Sequence, residues 1–598
     1  MQPFIHHPSV LSTLLLKGIE AYPDKSPFIH GKREGLWYSL NKDEFLDQVE
    51  KFALGLYELG VRKGERISIH SENSIEWLIC DLATLFTGVV SVPIYPTQSP
   101  DQIEYILRDS ESKVHIVAND QLFAQTKPVM KSIESVIAVV TMYGTVHGKL
   151  RHMEDIIELG RKRRKQEPDL FTKLVREVEP DDLATLIYTS GTTGEPKGVM
   201  LTQNNVASNV QESLRRLPFT LDEVFGQPVL SYLPLSHIFE RMISYMYISM
   251  QARIHYIQNI EEIRDDFQYV KPFFFGTVPR LLEKILTGVK VKGQEIKGIK
   301  KQLYYWALHL TESYDPERPP KGWNAIRFKL ADTLIYSKIR PIFGGNLMGV
   351  VTGGAALNPE IFRFMNAIGI FCAQGYGLTE TSPVITVQDP AHMRVGSSGV
   401  PLDGVEVKIA GDGEICARGS NVMKGYYNKP EQTQEVLTDD GWFMTGDIGH
   451  LDEDGFLFIT DRKKALFKLS TGKYVAPQHV ENQLVSSGFI DQIVVTGSDR
   501  KFCAALIVPA YENVKKRLHR DGYHPKLPFS KDPRVLELIQ REVEKGNKGL
   551  SHWEQVKKFV LLEQPLTIES GELTPTLKVR RSVVQKAHEE SLAALYEE

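Results

Sequence analysis

At 598 residues, with 42% hydrophobic and 24% charged side chains and a mean hydropathy of -0.22, the chain has material for a large core and several domain-sized units. A net charge of -4 and an isoelectric point near 6.5 exclude a strongly basic nucleic-acid binder as the default, so an anionic ligand must be held by local charge. The four cysteines (Cys80, Cys372, Cys416 and Cys503) lie far apart with no C-x-x-C pair, which excludes a cysteine zinc site and a disulfide framework and fits a reducing cytosol.

Residues 1–16 lack the basic-then-apolar order of a signal peptide. Residues 66–70 read as a strand. Residues 77–95 form the most apolar long stretch, interrupted by Asp81, Gly88 and Pro93, and predict a core helix followed by a buried strand, not a membrane span. Arg161-Lys162-Arg163-Arg164-Lys165 is a compact basic run. It is either a solvated surface or a contact with an anionic membrane, where each charge can be worth about 1 kcal/mol. Residues 271–276 predict a strand that passes through Thr277-Val278-Pro279 into a helix near Arg280. The aromatics Phe273, Phe274 and Phe275 there either line a pocket or belong to a buried strand. Residues 290–321 are polar, lysine-rich and broken by Gly and Pro, as in a surface excursion. Residues 347–352 lead through Gly353-Gly354 to Asn358-Pro359, a helix cap and first-turn pair. Residues 371–374 lead through Gly375-Tyr376-Gly377 toward a further predicted helix. Strands alternating with helices predict α/β layers with ligands at the carboxyl ends of the strands. A charged stretch begins at Asp461, and the last ~135 residues are enough to fold as a unit.

The sharpest local feature follows a predicted strand at 183–187 and precedes a short one at 199–201. It runs Thr189, Ser190, Gly191, Thr192, Thr193, Gly194, Glu195, Pro196, Lys197. Glycines let the backbone turn tightly and aim N–H groups at one place, the hydroxyls add donors, and Lys197 adds a mobile positive charge. The combination suits a polyphosphate better than a plain surface hairpin. No G-K-[S/T] follows, so it is not the phosphate loop of P-loop NTPases.

With this loop the sequence resembles the acyl-adenylate-forming enzymes, and within them the long-chain fatty-acid:CoA ligases. Four further segments match in the family's order: Gly375-Tyr376-Gly377-Leu378-Thr379-Glu380-Thr381, Gly441-Trp442-Phe443-Met444-Thr445-Gly446-Asp447, Asp461-Arg462-Lys463-Lys464 and Leu573-Thr574-Pro575-Thr576-Leu577-Lys578. Val92-Pro93-Ile94-Tyr95 and Leu233-Pro234-Leu235-Ser236-His237 resemble the long-chain branch. The resemblance implies an α/β chain. A large N-terminal domain of layered sheets and helices (1–463) would carry the ATP and acyl sites, and a small, mobile α+β C-terminal domain (464–598) would follow, hinged at Lys464.

The same resemblance implies roles residue by residue. Thr189 to Gly194 and Lys197 would hold the ATP phosphates, with Gly375, Tyr376 and Gly377 at the adenine and Thr379 at the α-phosphate. Glu380 would bind magnesium, a hard ion that takes oxygen ligands and bridges phosphates; as a bland alternative it is a solvated glutamate in a helix first turn. Asp447 would accept from both ribose hydroxyls, supported by Arg462. Lys578 would carry adenylation, although Lys578-Val579-Arg580-Arg581 is also simply a basic run. His237, backed by Phe239, would flank the acyl pocket or be structural. Gly353, Gly354 and Ala355 would form the acyl-binding turn. After adenylation the small domain would withdraw Lys578 and bring Ser470, Thr471, Gly472 and Lys473 to the thiol step.

The implied reagents are a long-chain fatty acid, ATP, Mg2+ and coenzyme A, with no nucleic-acid partner. The implied location is cytoplasmic, with peripheral contact with an anionic membrane surface left open, as is a homodimer. Two other enzymatic readings stay open: an acyl-AMP ligase that delivers to a carrier protein, and a ligase for a medium-chain or aryl acid. The short spacing from Asp447 to Lys464 leaves no room for the insertion common in acyl-AMP ligases and favours CoA. A silent nucleotide sensor would lack Lys578, Glu380 or the phosphate loop, and all three are present.

Overall fold

The computed structural model describes residues 10–23, 26–146, 150–189, 195–463, 465–485, 488–567, 570–574 and 579–597. Its contacts divide the chain into two compact units: Met1–Lys408 with Cys416–Met444 and Glu453–Leu457, and Ile409–Ile415 with Thr445–Asp452 and Phe458–Glu598.

Two large sheets organise the first unit. In one, the parallel strands Arg253–Tyr256, Pro228–Ser231, Phe274–Thr277, Gly349–Thr352 and Phe371–Gly377 lie side by side, and Val384–Val387 adds antiparallel to the last. In the other, Leu183–Thr189, Val90–Ile94, Arg66–His70, Val114–Val117, Ala138–Thr141 and Leu150–His152 run parallel, and Lys197–Thr202 returns antiparallel from the first of these. Strands covered on both faces carry near-continuous apolar runs, which is why they read so clearly in the sequence.

The apolar stretch at 77–95 is the predicted core helix and buried strand, Ile75–Thr87 and Val90–Ile94. Among the described residues no helix is long and apolar enough to cross a membrane. Asp81, the charge that interrupts the stretch, is fully buried against Arg241, itself only 1% exposed. The guanidinium is also held by Thr185 Oγ1 at 2.8 Å and Tyr245 OH at 2.6 Å, and Tyr245 OH donates to Asp81 Oδ2 at 2.6 Å. A buried ion pair persists only when its remaining donors and acceptors are satisfied in this way. Phe273, Phe274 and Phe275 are all buried, the last two in the strand and Phe273 just before it. Phe274 packs edge-on to Phe219 and Tyr247 on one face, and Phe275 lies against Phe267 on the other.

The predicted helix after Gly377 does not form. A single 3-10 turn, Thr379–Thr381, ends at Ser382 in the left-handed region (φ 68°). Pro383 has no N–H to continue a helix, and its carbonyl instead accepts from Leu378 N at 3.1 Å. The chain therefore reverses into Val384–Val387. A Cβ at Gly377 would stand 1.7 Å from that carbonyl oxygen, so the close return requires glycine.

In the second unit, strands Ile490–Thr496, Cys503–Pro509 and Val556–Leu561 form a small sheet backed by helices Pro477–Val485 and Pro533–Asn547. Glu481, on the first of these helices, is buried with Arg581 as a bidentate pair at 2.6 and 2.5 Å. One residue of the basic run near the C-terminus is thereby committed to the core of this unit.

Four histidines in the first unit lie in pairs, three of them buried and His30 half-buried. His70 and His115 sit on neighbouring strands, with His115 Nδ1 2.8 Å from Ser68 Oγ, and His30 stacks on His255 at 4.2 Å. Burial depresses their pKa values to about 4 (His30, His70) and about 3 (His115, His255). The unfolded chain takes up these protons near pH 6.5, whereas the folded chain refuses them until pH 4 or below. Their stabilisation is thus complete above pH 6.5 and is lost as pH falls toward 4, at about 1.4 kcal/mol per pH unit for each histidine. Glu240, fully buried and pushed up to about 8 by desolvation, opposes one of them, because it favours folding increasingly as pH falls from 8 to 4.5. The expected net result is a denaturant midpoint that drops steeply between pH 6.5 and 4. Denaturation curves of wild type and His70→Asn/His115→Gln across that range should show a shallower slope in the variant.

Candidate active site

In the first unit the parallel strands end in register, and their carboxyl ends carry the predicted site residues. Thr277 pairs with Thr352 and Thr352 with Gln374, so Gly353-Gly354 leave the sheet beside Gly375-Tyr376-Gly377, which continue their strand and pair with Val384–Val387. Gly353 lies against the Phe239 ring, where a Cβ would approach within 3.2 Å, and Gly354 has a φ of 80°. His237 caps helix Ile238–Ser249, its Nδ1 accepting from Phe239 N at 3.1 Å. That bond leaves Nε2 as the protonated nitrogen of the neutral ring. His237, Phe239, Gly353 and Gly354 therefore form one group, with Ala355 directly after the turn and exposed. The His237 side chain is a helix cap, and Phe239, two residues on, is the side chain that lies against the glycine turn.

The segment expected to hold phosphates falls, in the sequence, between two paired strands. Thr189 pairs with Lys197, and Tyr188 with Gly198; Ser190, Gly191, Thr192, Thr193 and Gly194 fall outside the described residues. Strand Lys197–Thr202 then pairs on its other edge with Gly425–Tyr426. This arrangement brings in a residue that the sequence motifs did not single out. Tyr426 OH donates to Glu380 Oε1 at 2.9 Å, while Lys197 Nζ lies 4.7 Å from the centre of the Tyr426 ring. Tyr426 is buried, and desolvation followed by the neighbouring Glu380 charge raises its pKa, so it stays a hydrogen-bond donor. One oxygen of Glu380 is thus fixed by the tyrosine. Glu380 is half-buried, and the turn that bears it is held from both sides.

Three buried amides do the holding. Asn209 Nδ2 donates to Val384 O at 2.7 Å and its Oδ1 accepts from Val384 N at 3.1 Å. Asn421 Nδ2 donates to Thr381 O at 3.0 Å, and Asn205 Nδ2 to Ser420 O and Val422 O at 2.7 and 2.9 Å. Met423 N donates to Glu380 O at 2.8 Å. The 379–384 turn, helix Gln203–Leu214 and the segment 420–426 are therefore locked together. Preorganisation of this kind keeps a charged ligand residue in place before substrate arrives. A lone asparagine carries no sequence signal, which is why only the tertiary contacts reveal these residues.

The second unit carries the rest of the described candidates. Asp447, on strand Phe443–Leu451, is buried, and Arg462 Nε at the end of the neighbouring strand Leu457–Arg462 lies 3.3 Å from its Oδ1. The two predicted ribose residues are thus a pair. Lys463 is bound to Asp412 at 2.6 Å and Glu414 at 2.8 Å. Ser470, Thr471, Gly472 and Lys473 form the exposed tip of a hairpin between Phe467–Lys468 and Tyr474–Val475. Gly472 has a φ of 84°, and Lys473 Nζ lies 5.0 Å from the Trp553 ring. Lys464 and Lys578 lie outside the described residues; Leu573 and Val579, which flank the latter's segment, bridge one another.

The basic run at 161–165 lies at the end of helix Met153–Gln166, which packs against helix Lys42–Glu58 through Gly160 and Gly55. Arg161 pairs with Glu158, Arg163 with Glu167, and Arg164 with Asp47 and Glu50. Its arginines are matched by acids, as on a solvated helix face.

Residues 17–427 match the AMP-binding enzyme family, and residues 465–598 match the AMP-binding enzyme C-terminal domain. The chain belongs to the AMP-binding enzymes. Among the relatives of this AMP-binding enzyme is the long-chain-fatty-acid–CoA ligase FadD15 of Mycobacterium bovis, 34% identical over 94% of this chain and 93% of the relative. Mouse long-chain-fatty-acid–CoA ligase 5 is 31% identical over 96% of this chain and 87% of its own length. The long-chain-fatty-acid–[acyl-carrier-protein] ligase AEE15 of Arabidopsis thaliana is 30% identical over 96% and 85% respectively. The adenylation domain of a carboxylic acid reductase from Segniliparus rugosus, solved with AMP and a co-purified carboxylic acid, shares the fold. Its TM-score is 0.71 at 21% identity, covering 98% of this chain and 94% of that one.

The donor set of this AMP-binding enzyme fits one divalent cation. Mg2+ keeps several waters and is usually held by one or two carboxylates together with substrate phosphates. Glu380, with one oxygen held by Tyr426, would supply such a carboxylate, and Lys197 lies over the same tyrosine ring.

Proposed function

We propose that this enzyme activates a long-chain fatty acid with ATP, forming acyl-AMP and pyrophosphate, and then transfers the acyl group to coenzyme A with release of AMP. Adenylation is needed because a carboxylate oxygen leaves poorly and AMP leaves well. The observation that carries the reading is the Lys197–Tyr426–Glu380 connection, three residues past the strand end Gly375-Tyr376-Gly377. It ties the hairpin that bears Lys197 to an oriented carboxylate one residue after Thr379. Mg2+, when bound, would neutralise phosphate charge. The protein's part is to place Lys197 and Thr379 at the phosphates, Tyr376 at adenine and His237 with Gly353, Gly354 and Ala355 at the acyl end. Asp447 and Arg462 take the ribose. Lys578 meets the charge that develops as pyrophosphate departs. With the domain boundary at 463/464, rotation about Lys464 then exchanges Lys578 for the hairpin tip Ser470, Thr471, Gly472 and Lys473, where Gly472 leaves room for the pantetheine arm.

The long-chain assignment is supported by near-full-length similarity to ligases named for long-chain acids. The relative named for an acyl-carrier-protein acceptor keeps delivery to a carrier protein as the second reading. Release of AMP with ATP and Mg2+, measured across acids from acetate to oleate with CoA or acyl carrier protein as acceptor, decides between them. The expected outcome is turnover that requires CoA and rises with chain length. Maximal turnover with a short or aryl acid, or with the carrier protein alone, would overturn the assignment.

A further inference from the structure

The lysine-rich segment after residue 290 and the stretch that follows it carry two helices. Helices Ile299–Glu312 and Trp323–Ala331 pack together, with Tyr314 edge-on to Phe328 at 5.4 Å and Tyr336 OH donating to Ala307 O at 2.7 Å. This packing buries Ala331 and half-buries Phe328. The outer face of the same short helix is apolar and exposed: Trp323 is 73%, Ile326 58% and Leu330 49% accessible. At about 100° per residue these three fall within an arc of roughly 60°, with Arg327 to one side and Lys329 to the other. Single exposed apolar residues are ordinary, but a contiguous stripe headed by tryptophan marks a surface that meets something.

The local charge says what it meets. From Glu317 to Lys338 the chain carries Arg318, Lys321, Arg327, Lys329 and Lys338 against only Glu317 and Asp332. Both acids are already engaged, Glu317 with Arg394 at 2.5 Å and Asp332 with Arg340 at 2.5 Å. Among the described residues Lys321, Lys329 and Lys338 form no ion pair. A chain of net charge -4 thus presents basic residues around the exposed Trp323 helix. A second copy meeting this face would bring two positive clusters together. The stripe is convex, offering no groove for a peptide. An aromatic and aliphatic stripe flanked by Lys and Arg is the pattern of a helix lying in the plane of an anionic membrane.

We propose that helix Trp323–Ala331 docks this enzyme on an anionic lipid bilayer. Trp323, Ile326 and Leu330 enter the headgroup–acyl boundary, and Lys321, Arg327, Lys329 and Lys338 meet lipid phosphates. The docking rests on the fatty-acid reading only in that a bilayer is where long-chain acids partition. The run at 161–165, whose arginines are ion-paired, is not the contact.

Co-sedimentation with vesicles of phosphatidylcholine, with and without phosphatidylglycerol, tests this. The wild-type chain is expected to bind the anionic vesicles and to be released by salt. Trp323→Ser/Ile326→Ser/Leu330→Ser should weaken that binding about tenfold or more. Arg327→Glu/Lys329→Glu should remove the preference for anionic lipid. Both variants should retain wild-type turnover on a water-soluble medium-chain acid, which shows that they are folded. Vesicle binding unchanged in both variants, or absent in the wild type, would overturn the proposal. So would a variant that changes oligomeric state while keeping vesicle affinity, because the face would then be a protein interface. A wild type that binds vesicles yet ligates no fatty acid supports the docking and defeats only the proposed function.

Discussion

Replacing Lys578 with alanine is expected to lower acid-dependent pyrophosphate release about a thousandfold while sparing thioester formation from supplied acyl-adenylate. A lysine about 4 Å from an anionic oxygen gains on the order of 4 kcal/mol at intermediate dielectric. If the contact exists only in the transition state, that energy appears in the rate, where each 1.36 kcal/mol is about tenfold. The separation of half-reactions is the informative part. A lysine that merely supported the small domain would damage both steps. Arg581, three residues on, is such a structural residue, paired with buried Glu481 at 2.6 and 2.5 Å. Its alanine variant makes a useful contrast, since it should lower the stability of the second unit and affect both half-reactions together. Equal loss of the two steps in Lys578→Ala would remove the lysine from the adenylation chemistry.

Glu380→Gln is expected to reduce adenylation by a similar factor, on the order of a thousandfold. The substitution keeps the shape but removes the negative charge that would hold a divalent cation against the phosphates, an interaction worth several kcal/mol. Tyr426→Phe is expected to cost less, about ten- to a hundredfold, which is the usual range when the partner that orients a metal-binding side chain is lost. The losses should differ in kind. Removing the 2.9 Å hydrogen bond from Tyr426 leaves Glu380 charged but free to rotate, so raising the magnesium concentration should restore much of the activity. Added magnesium should do little for Glu380→Gln. Initial rates of pyrophosphate release against magnesium concentration separate the two. A Tyr426→Phe enzyme with wild-type magnesium dependence would show that the tyrosine acts only as packing beneath Lys197.

Much of the fold was legible because its strands are short apolar runs punctuated by Gly, Pro and Ser. The sequences at 66–70, 271–280 and 347–359 became strand Arg66–His70, strand Phe274–Thr277 with helix Pro279–Glu295, and strand Gly349–Thr352 with the Asn358-capped helix Pro359–Ala367. The segment after Gly377 was misread for a specific reason. A glycine turn followed by threonines and a glutamate resembles a helix start, and the competing interaction, Pro383 O returning to Leu378 N, is invisible without the fold.

Read alone, the residues specify the α/β class, through strands and helices that alternate along the chain, and the resemblance carried by five ordered motifs puts forward Lys197, Thr379, Glu380, Asp447 and Arg462 as site residues. Only the tertiary structure decided that Tyr426 orients Glu380, that Asn205, Asn209 and Asn421 clamp the turn, and that Trp323, Ile326 and Leu330 face outward. Those facts depend on which segments, far apart in the chain, come into contact and which side of a helix stays uncovered. No local pattern of residues carries that information.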